Sequence, residues 1–295
     1  MAGHTVKKSL LWLASYPKSG NTWVRLFLLN YLVDRPEPVP INQAHRLGES
    51  DATFALYRAA SADPSLRPTD NDAILRLRPP VLERLAGNGA DVNFVKTHCR
   101  NGPAGPGRLI PPHLTRGAVY ILRNPFDILP SYADHYAISL DTAAAHIVNR
   151  DNAVLGGGRM TAQYLGDWAH HLRSWTGERR FPVCTVRYED LHADPGASYA
   201  RILDFIGAPS DPARRDRAIA ASSFAELRGQ EDRSGFVEKS DGGSRFFRAG
   251  KAGGWREVLT DGQVAILHRA FEPTLRTWYP DLAEETAAIA ERVGT

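Results

Sequence analysis

The chain has 295 residues, 43% hydrophobic and 23% charged, the make-up of an ordinary globular protein with enough length for one large α/β domain or two small ones. A formal net charge of +3 argues against a general nucleic-acid binder. Two cysteines, Cys99 and Cys184, cannot build a disulfide framework and point to a reducing, cytoplasmic compartment; no segment is long and apolar enough to span a bilayer.

In chain order, Ser9 to Ser15 reads as a buried strand, and the short apolar run there is too brief for a signal peptide. Asn21 to Val33 reads as a helix that stops before the proline-rich stretch DRPEPVP. Residues 35–90 read as mixed loops and short helices. Asp91 to His98 is a second strand, followed by a glycine- and proline-rich loop. Gly117 to Arg123 is a third strand, leading into a helix with Pro125 at a favoured first position and Pro130 where it should shift or kink the helix. Arg159 to Thr176 reads as helical, with Met160, Tyr164, Trp168, Leu172 and Trp175 at helical spacing. Phe181 to Tyr188 is a fourth strand and Ala197 to Ile206 a helix. Residues 229–254, rich in glycine, serine and charge, are expected to be a long functional loop, and Asp261 to Trp278 the last helix. Strands alternating with helices imply an α/β fold with a mostly parallel central sheet covered on both faces. No internal repeat or linker is apparent, so residues 1–295 are expected to form a single domain.

The stretch YPKSGNTW, Tyr16 to Trp23, lies between the first strand and the first helix. A helix N-terminus exposes unpaired N–H groups and the positive end of its dipole, and a tight glycine-containing loop turns several N–H groups toward one anion. Lys18 adds a full charge; Ser19, Asn21 and Thr22 add short donors. The loop lacks the first glycine of a Walker A sequence and places Gly20 after the lysine, so it is a phosphate-binding loop of another, P-loop-like type. The bland alternative is a strand–helix turn with a solvated lysine.

This stretch resembles the 5′-phosphosulfate loop of sulfotransferases that use 3′-phosphoadenosine 5′-phosphosulfate (PAPS). Five further segments in the family's order resemble its other motifs: VKTH (95–98), RNPFDILPS (123–131), VRYEDLHADP (186–195), SSFAELR (222–228) and FFRAGKAGGW (246–255). The resemblance implies a PAPS-dependent enzyme that moves the sulfuryl group in line to a hydroxyl or amine and releases adenosine 3′,5′-bisphosphate (PAP), with no metal required.

It also implies roles. Lys18 would stabilise the leaving phosphate, and Ser19, Gly20, Asn21 and Thr22 would hold the 5′-phosphate, although the family usually has threonine at position 21. His98 would be the general base, suited by a pKa near neutrality; Lys96 would touch the sulfonyl oxygens or run to solvent, the two readings standing even. Arg123 and Ser131 would bind the 3′-phosphate, with Arg248, Ala249 and Gly250 closing over it. The family often has lysine where this chain has Ala249, leaving open whether Lys251 compensates. Trp23, Tyr188, Ser222 and Phe224 would surround the adenine, where aromatic faces stack on a base; Trp23 and Phe224 equally suit ordinary core. The reading requires Lys18 and Arg123 to lie close enough to grip one small ligand.

Other features read as structure. Trp168, Trp175, Tyr164 and Leu172 suit a helix face packed on the sheet, His170–His171 lacks partners at metal spacing, and Cys99 should point away from His98 on the strand. Asp127 is expected to order its own helix start. Rival functions are a nucleotide kinase, which would need Mg²⁺ ligands and a Walker B aspartate, and a non-catalytic nucleotide-binding protein, which would need no base. The acceptor is expected to be a small molecule, with neither nucleic acid nor membrane as partner. Its pocket falls to residues 35–90, 132–165 and 229–247, where Tyr132, His135 and Tyr136 suit either an aromatic or hydroxylated acceptor or plain packing, with packing favoured.

Overall fold

The computed structural model describes residues 8–239, 245–247 and 250–294. Its centre is a five-stranded sheet: β1 (Leu10–Ser15), β2 (Gly48–Ser50), β3 (Asn93–Thr97), β4 (Thr115–Leu122) and β5 (Val183–Arg187). The spatial order is β2-β3-β1-β4-β5 and every neighbouring pair is parallel. The α/β fold class expected from the sequence is thus present. The four longer strands are those read from the sequence, and β2 is an added edge strand.

Alternation along β1 shows why helices cover both faces. Leu10, Trp12 and Ala14 belong to one core cluster, with Tyr120 of β4, while Leu11 and Leu13 belong to the other, with Val119 and Ile121. The second cluster is closed by α1 (Asn21–Val33) through Val24, Phe27, Leu28 and Tyr31. The remaining helices are α2 (Phe54–Ala60), α3 (Asn71–Ala86), α4 (Pro125–Tyr136), α5 (Leu140–Val148), α6 (Trp168–Thr176), α7 (Tyr188–Ala193), α8 (Pro195–Ile206), α9 (Pro212–Ala221), α10 (Phe224–Ser234), α11 (Asp261–Trp278) and α12 (Pro280–Val293). Among the described residues no helix is long and apolar enough to cross a membrane.

Several local expectations need correction. The helix expected over Arg159–Thr176 begins only at Trp168. Gly166 is left-handed at φ +69°, Asp167 caps α6 by accepting from the His170 N–H at 2.6 Å, and Gln163–Tyr164 pairs antiparallel with Ala153–Val154. Tyr164 therefore is not on the α6 face, whereas Trp168, Leu172 and Trp175 are buried there. Helix α3 runs through Pro79 and Pro80, residues that pattern reading takes as breakers. Helix α4 likewise runs through Pro130, started by the Asn124 side chain, which accepts from the Asp127 N–H. The stretch expected to be loop from residue 229 is helical to Ser234, and α11 is followed by α12, whose first residue is Pro280.

Candidate active site

Four adjacent parallel strands end at one edge, and each delivers a residue singled out from the sequence. Lys18 follows β1, His98 follows β3, Arg123 follows β4 and Tyr188 follows β5. The carboxyl edge of an open parallel sheet is where ligands of such folds bind.

The loop after β1 is shaped by two left-handed residues, Lys18 at φ +68° and Gly20 at φ +98°. A Cβ on Gly20 would lie 2.8 Å from the Tyr188 ring, so only glycine lets loop and ring meet. The Arg123 guanidinium closes the loop from the next strand, donating to the Lys18 carbonyl at 3.0 Å and lying 4.1 Å from the Tyr188 ring centroid. The Arg123 guanidinium therefore touches the Lys18 backbone. The Lys18 ammonium lies 4.4 Å from the Phe246 ring centroid. Among the described residues the buried Ser19 hydroxyl has no hydrogen-bond partner, and at a helix N-terminus such an orphan suits an anion. Asn21 departs from the expectation that its side chain reaches an anion: its amide donates back to the Leu13 carbonyl at 2.8 Å, leaving its backbone N–H for that role.

His98 lies just beyond β3 with Nδ1 at 2.9 Å from the Ser15 carbonyl oxygen. A carbonyl only accepts, which favours the tautomer with the proton on Nδ1 and the lone pair on Nε2; the Ser15 hydroxyl lies 3.2 Å from the same Nδ1. Burial, followed by the nearby Lys96 charge, holds this imidazole well below its usual range, so it is neutral around pH 7. Helix α6, which the sequence offered as packing, also positions the edge. His171 Nε2 meets the His98 carbonyl at 3.1 Å, Trp175 donates to the Cys99 carbonyl at 3.1 Å, and Trp168 donates to the Arg123 carbonyl at 3.0 Å. Burial pushes His171 down to about 3 and the Cys99 thiol up to about 11, leaving a neutral ring and an inert thiol.

Beside the loop, Trp23 packs edge-on to Tyr188 at 5.6 Å and donates to the Ser222 carbonyl at 2.8 Å. The Ser222 hydroxyl turns inward to the Ala218 carbonyl. Phe224 packs on Gly250, where a Cβ would fall 2.1 Å from the ring. Of the residues expected at an adenine, Trp23 touches both Tyr188 and Ser222, and Phe224 packs on Gly250. Ser131 is half-buried on α4. Arg248 and Ala249 lie outside the described residues. Lys251 pairs with Glu257 at 3.1 Å, while its carbonyl is 3.4 Å from Arg123.

Two residues at the site, Arg25 and Glu238, escaped the sequence reading, and a third, Asp127, was read only in part. Arg25, buried one turn after Thr22 on α1, pairs with Glu238 at 2.8 Å; the i, i+3 spacing from Thr22 was the available signal. Glu238 also accepts from Thr22 Oγ1 at 3.1 Å and from Lys96 at 3.3 Å; nothing in its glycine- and serine-rich surroundings marks it. Burial alone would raise its carboxyl, but Lys96 and Arg25 together hold it well below the usual carboxylate range. Asp127 does more than start α4: its carboxylate accepts from the Gly253 N–H at 2.7 Å and the Trp255 N–H at 3.1 Å, tying the C-terminal segment to the edge.

Along α4, Tyr132 and Tyr136 lie 4.4 Å apart and His135 packs on Tyr136 at 4.7 Å. Burial, then the Lys18 and Lys96 charges, lowers His135 to about 4.

A parallel α/β sheet whose carboxyl edge gathers a left-handed lysine–glycine loop, a neutral histidine and an arginine on that loop defines an α/β protein of the kind that binds ligands at this edge. The particular family is identified by comparison: the profile described as "Sulfotransferase domain" matches residues 8–279, and the chain belongs to that family. Flavonol 3-sulfotransferase of Flaveria bidentis is 25% identical over 296 residues, covering 90% of this chain and 81% of that protein. Sulfotransferase 1C2 of Rattus norvegicus is 24% identical over 262 residues, covering 86% and 78%. Among solved structures, a retinol dehydratase in complex with androsterone and inactive cofactor PAP superposes with a TM-score of 0.60 at 19% identity, covering 92% of this chain and 81% of that one. A mouse sulfotransferase complexed with PAP gives 0.58 at 18%, covering 95% and 90%. These two share the fold.

Proposed function

We propose that the chain transfers the sulfuryl group of PAPS to a hydroxyl or amine of a small-molecule acceptor, with His98 as general base. The acceptor oxygen or nitrogen attacks sulfur while the bond from sulfur to the bridging phosphate oxygen breaks. The electron pair leaves with the phosphate of PAP, and the acceptor's proton passes to His98 Nε2. The observation that supports this reading is the His98 hydrogen bond to the Ser15 carbonyl, which favours Nδ1 as donor and Nε2 as the basic atom.

Lys18, the backbone N–H groups from Ser19 to Thr22 and the Thr22 hydroxyl hold the 5′-phosphate; Lys96 meets the sulfuryl oxygens. Arg123 and Ser131 grip the 3′-phosphate, with Arg248, Ala249 and Gly250 over it. Trp23, Tyr188, Ser222 and Phe224 flank the adenine. Positioning and charge stabilisation then supply most of the rate. The orphaned Ser19 hydroxyl and the carboxylate drawn in between Lys96 and Thr22 both fit a site made for anions. Tyr132, His135 and Tyr136 favour a flat or aromatic acceptor. In this reading the chain works as one domain in the cytoplasm, without a metal.

The test is transfer of labelled sulfuryl from PAPS to a panel of phenols, alcohols and amines. Labelled product from at least one class, lost in His98→Ala, is expected. If His98→Ala turns over as fast as the parent, the mechanism is wrong.

A further inference from the structure

Glu238 lies where the reading above places the co-substrate's reacting end. Its Oε2 accepts from Thr22 Oγ1 at 3.1 Å and from Lys96 Nζ at 3.3 Å; its Oε1 accepts from Arg25 at 2.8 Å. Thr22 and Lys96 are the groups assigned to the 5′-phosphate and sulfuryl oxygens. A second anion cannot share these donors with a carboxylate at contact distance in a partly buried site, because like charges repel most where water is scarce. We propose that the Glu238 carboxylate is a built-in competitor that occupies the co-substrate's place, and that PAPS or PAP binds by expelling it; this rests on the site reading above.

The surrounding structure lets the carboxylate leave alone. Phe236 is buried in a cluster with Leu26, Ile41 and Phe247, and it stacks edge-on against Phe246 at 4.7 Å. The Val237 N–H is held by Asn42 Oδ1 at 2.9 Å and the Lys239 N–H by the Phe236 carbonyl at 3.1 Å. The backbone before Glu238 is thus tied to Asn42 and the turn from Phe236 to Lys239 is closed on itself, so that rotation of the side chain can free the donors. Without nucleotide, the carboxylate neutralises Arg25 and Lys96, whose side chains are only 4% and 17% exposed. Small anions lack the contacts at Arg123 and the adenine that would offset its removal. The competitor therefore discriminates in favour of the complete nucleotide and against inorganic phosphate.

The experiment is a calorimetric titration of the full chain and of Glu238→Gln with PAP and, separately, with inorganic phosphate, after unliganded melting curves establish that both are folded. Glu238→Gln is expected to bind PAP about tenfold more tightly and to gain a larger factor for inorganic phosphate, while the PAPS KM falls. Equal or weaker PAP binding by Glu238→Gln overturns the proposal, since the carboxylate would then serve to hold Lys96 in place. Lys18→Ala, measured alongside, reports on the site reading alone. If it binds PAP like the parent, that reading fails and takes this proposal with it; if only the Glu238 arm fails, the site assignment stands.

Discussion

The loop Tyr16–Gly20 and the segment from Phe236 to Glu257 meet at the site, and they are held by different means. The loop is continuous with a buried strand and a buried helix, and its shape is set by two left-handed residues of its own. The C-terminal segment hangs from side chains that reach it from elsewhere. The Glu231 carboxylate accepts from the Phe246 and Phe247 N–H groups at 2.7 and 2.9 Å, and Asp127 accepts from Gly253 and Trp255. Local stability follows the number and burial of such ties. In the proposed reading the loop is the wall that places the reacting groups, and the described residues of the segment, buried at Phe236, Phe247 and Trp255, form the wall that adds binding. Substitutions at the first wall and at His98 beside it should therefore damage rate, with Lys18 lowering nucleotide affinity as well, whereas substitutions on the second should damage nucleotide affinity with little loss of rate.

The largest effect tests the first half of that statement. His98→Ala removes a general base and is expected to lower kcat by about 10²–10⁴, while the affinity for PAP stays within twofold. The pH profile of the parent carries the sign. The neutral imidazole is the active form, and burial beside Lys96 lowers its pKa. The acid limb of kcat/KM should therefore lie below the ordinary histidine value of about 6.5, with a plateau through neutrality. A limb at or above that value, or a large loss of PAP affinity in His98→Ala, breaks the division between the walls.

The contrast also explains what was legible in the sequence. Period-two burial in β1 and helical burial in α1 are local patterns, so strand, loop and helix were placed at or within a residue of their observed limits, and α1 at Asn21–Val33. The edge residues Lys18, His98, Arg123 and Tyr188 follow strands that could be read in the same way. What failed depends on partners far along the chain. Asp127 and Gly253 are 126 residues apart, and Thr22 and Glu238 are 216 apart; no periodicity reports such pairs. The helices α3 and α12 were hidden by proline. Pro79 and Pro80 sit inside α3, whereas Pro280 occupies the first turn of α12, where a missing N–H costs nothing. The short pair Ala153–Val154 and Gln163–Tyr164 is too brief to show alternation, so aromatic spacing was mistaken for a longer helix.

A smaller effect probes the second wall where backbone meets ring. Gly250 has φ +59° and packs its Cα face on Phe224. In Gly250→Ala the new methyl would fall 2.1 Å from the ring, so either Phe224 or the segment must move. The left-handed backbone adds strain of about 1 kcal/mol or more. The expected outcome, read by equilibrium titration with PAP, is roughly tenfold weaker binding with kcat at saturating PAPS within threefold of the parent. A loss confined to kcat would place Gly250 with the rate-setting wall and undo the comparison.

The smallest effect discriminates best, because Asp127 touches both walls. Its backbone N–H is capped by Asn124, which orders the start of α4, and its carboxylate holds the segment. Asp127→Asn keeps the size and one acceptor oxygen, but its amide would turn a donor toward either the Gly253 or the Trp255 N–H. Leaving one such group unpaired costs about 1–3 kcal/mol. The segment should loosen, PAP should bind several-fold more weakly, and hydrogen exchange at Gly253 and Trp255 should quicken. The Asp127 N–H keeps its Asn124 cap, and although the Asn124 amide also donates to the carboxylate at 2.9 Å, one acceptor oxygen remains for it, so Arg123 should stay on the Lys18 carbonyl and kcat should hold within twofold. If kcat fell in step with affinity, the carboxylate would be ordering Arg123 and the loop as well, and the two walls would be a single cooperative unit.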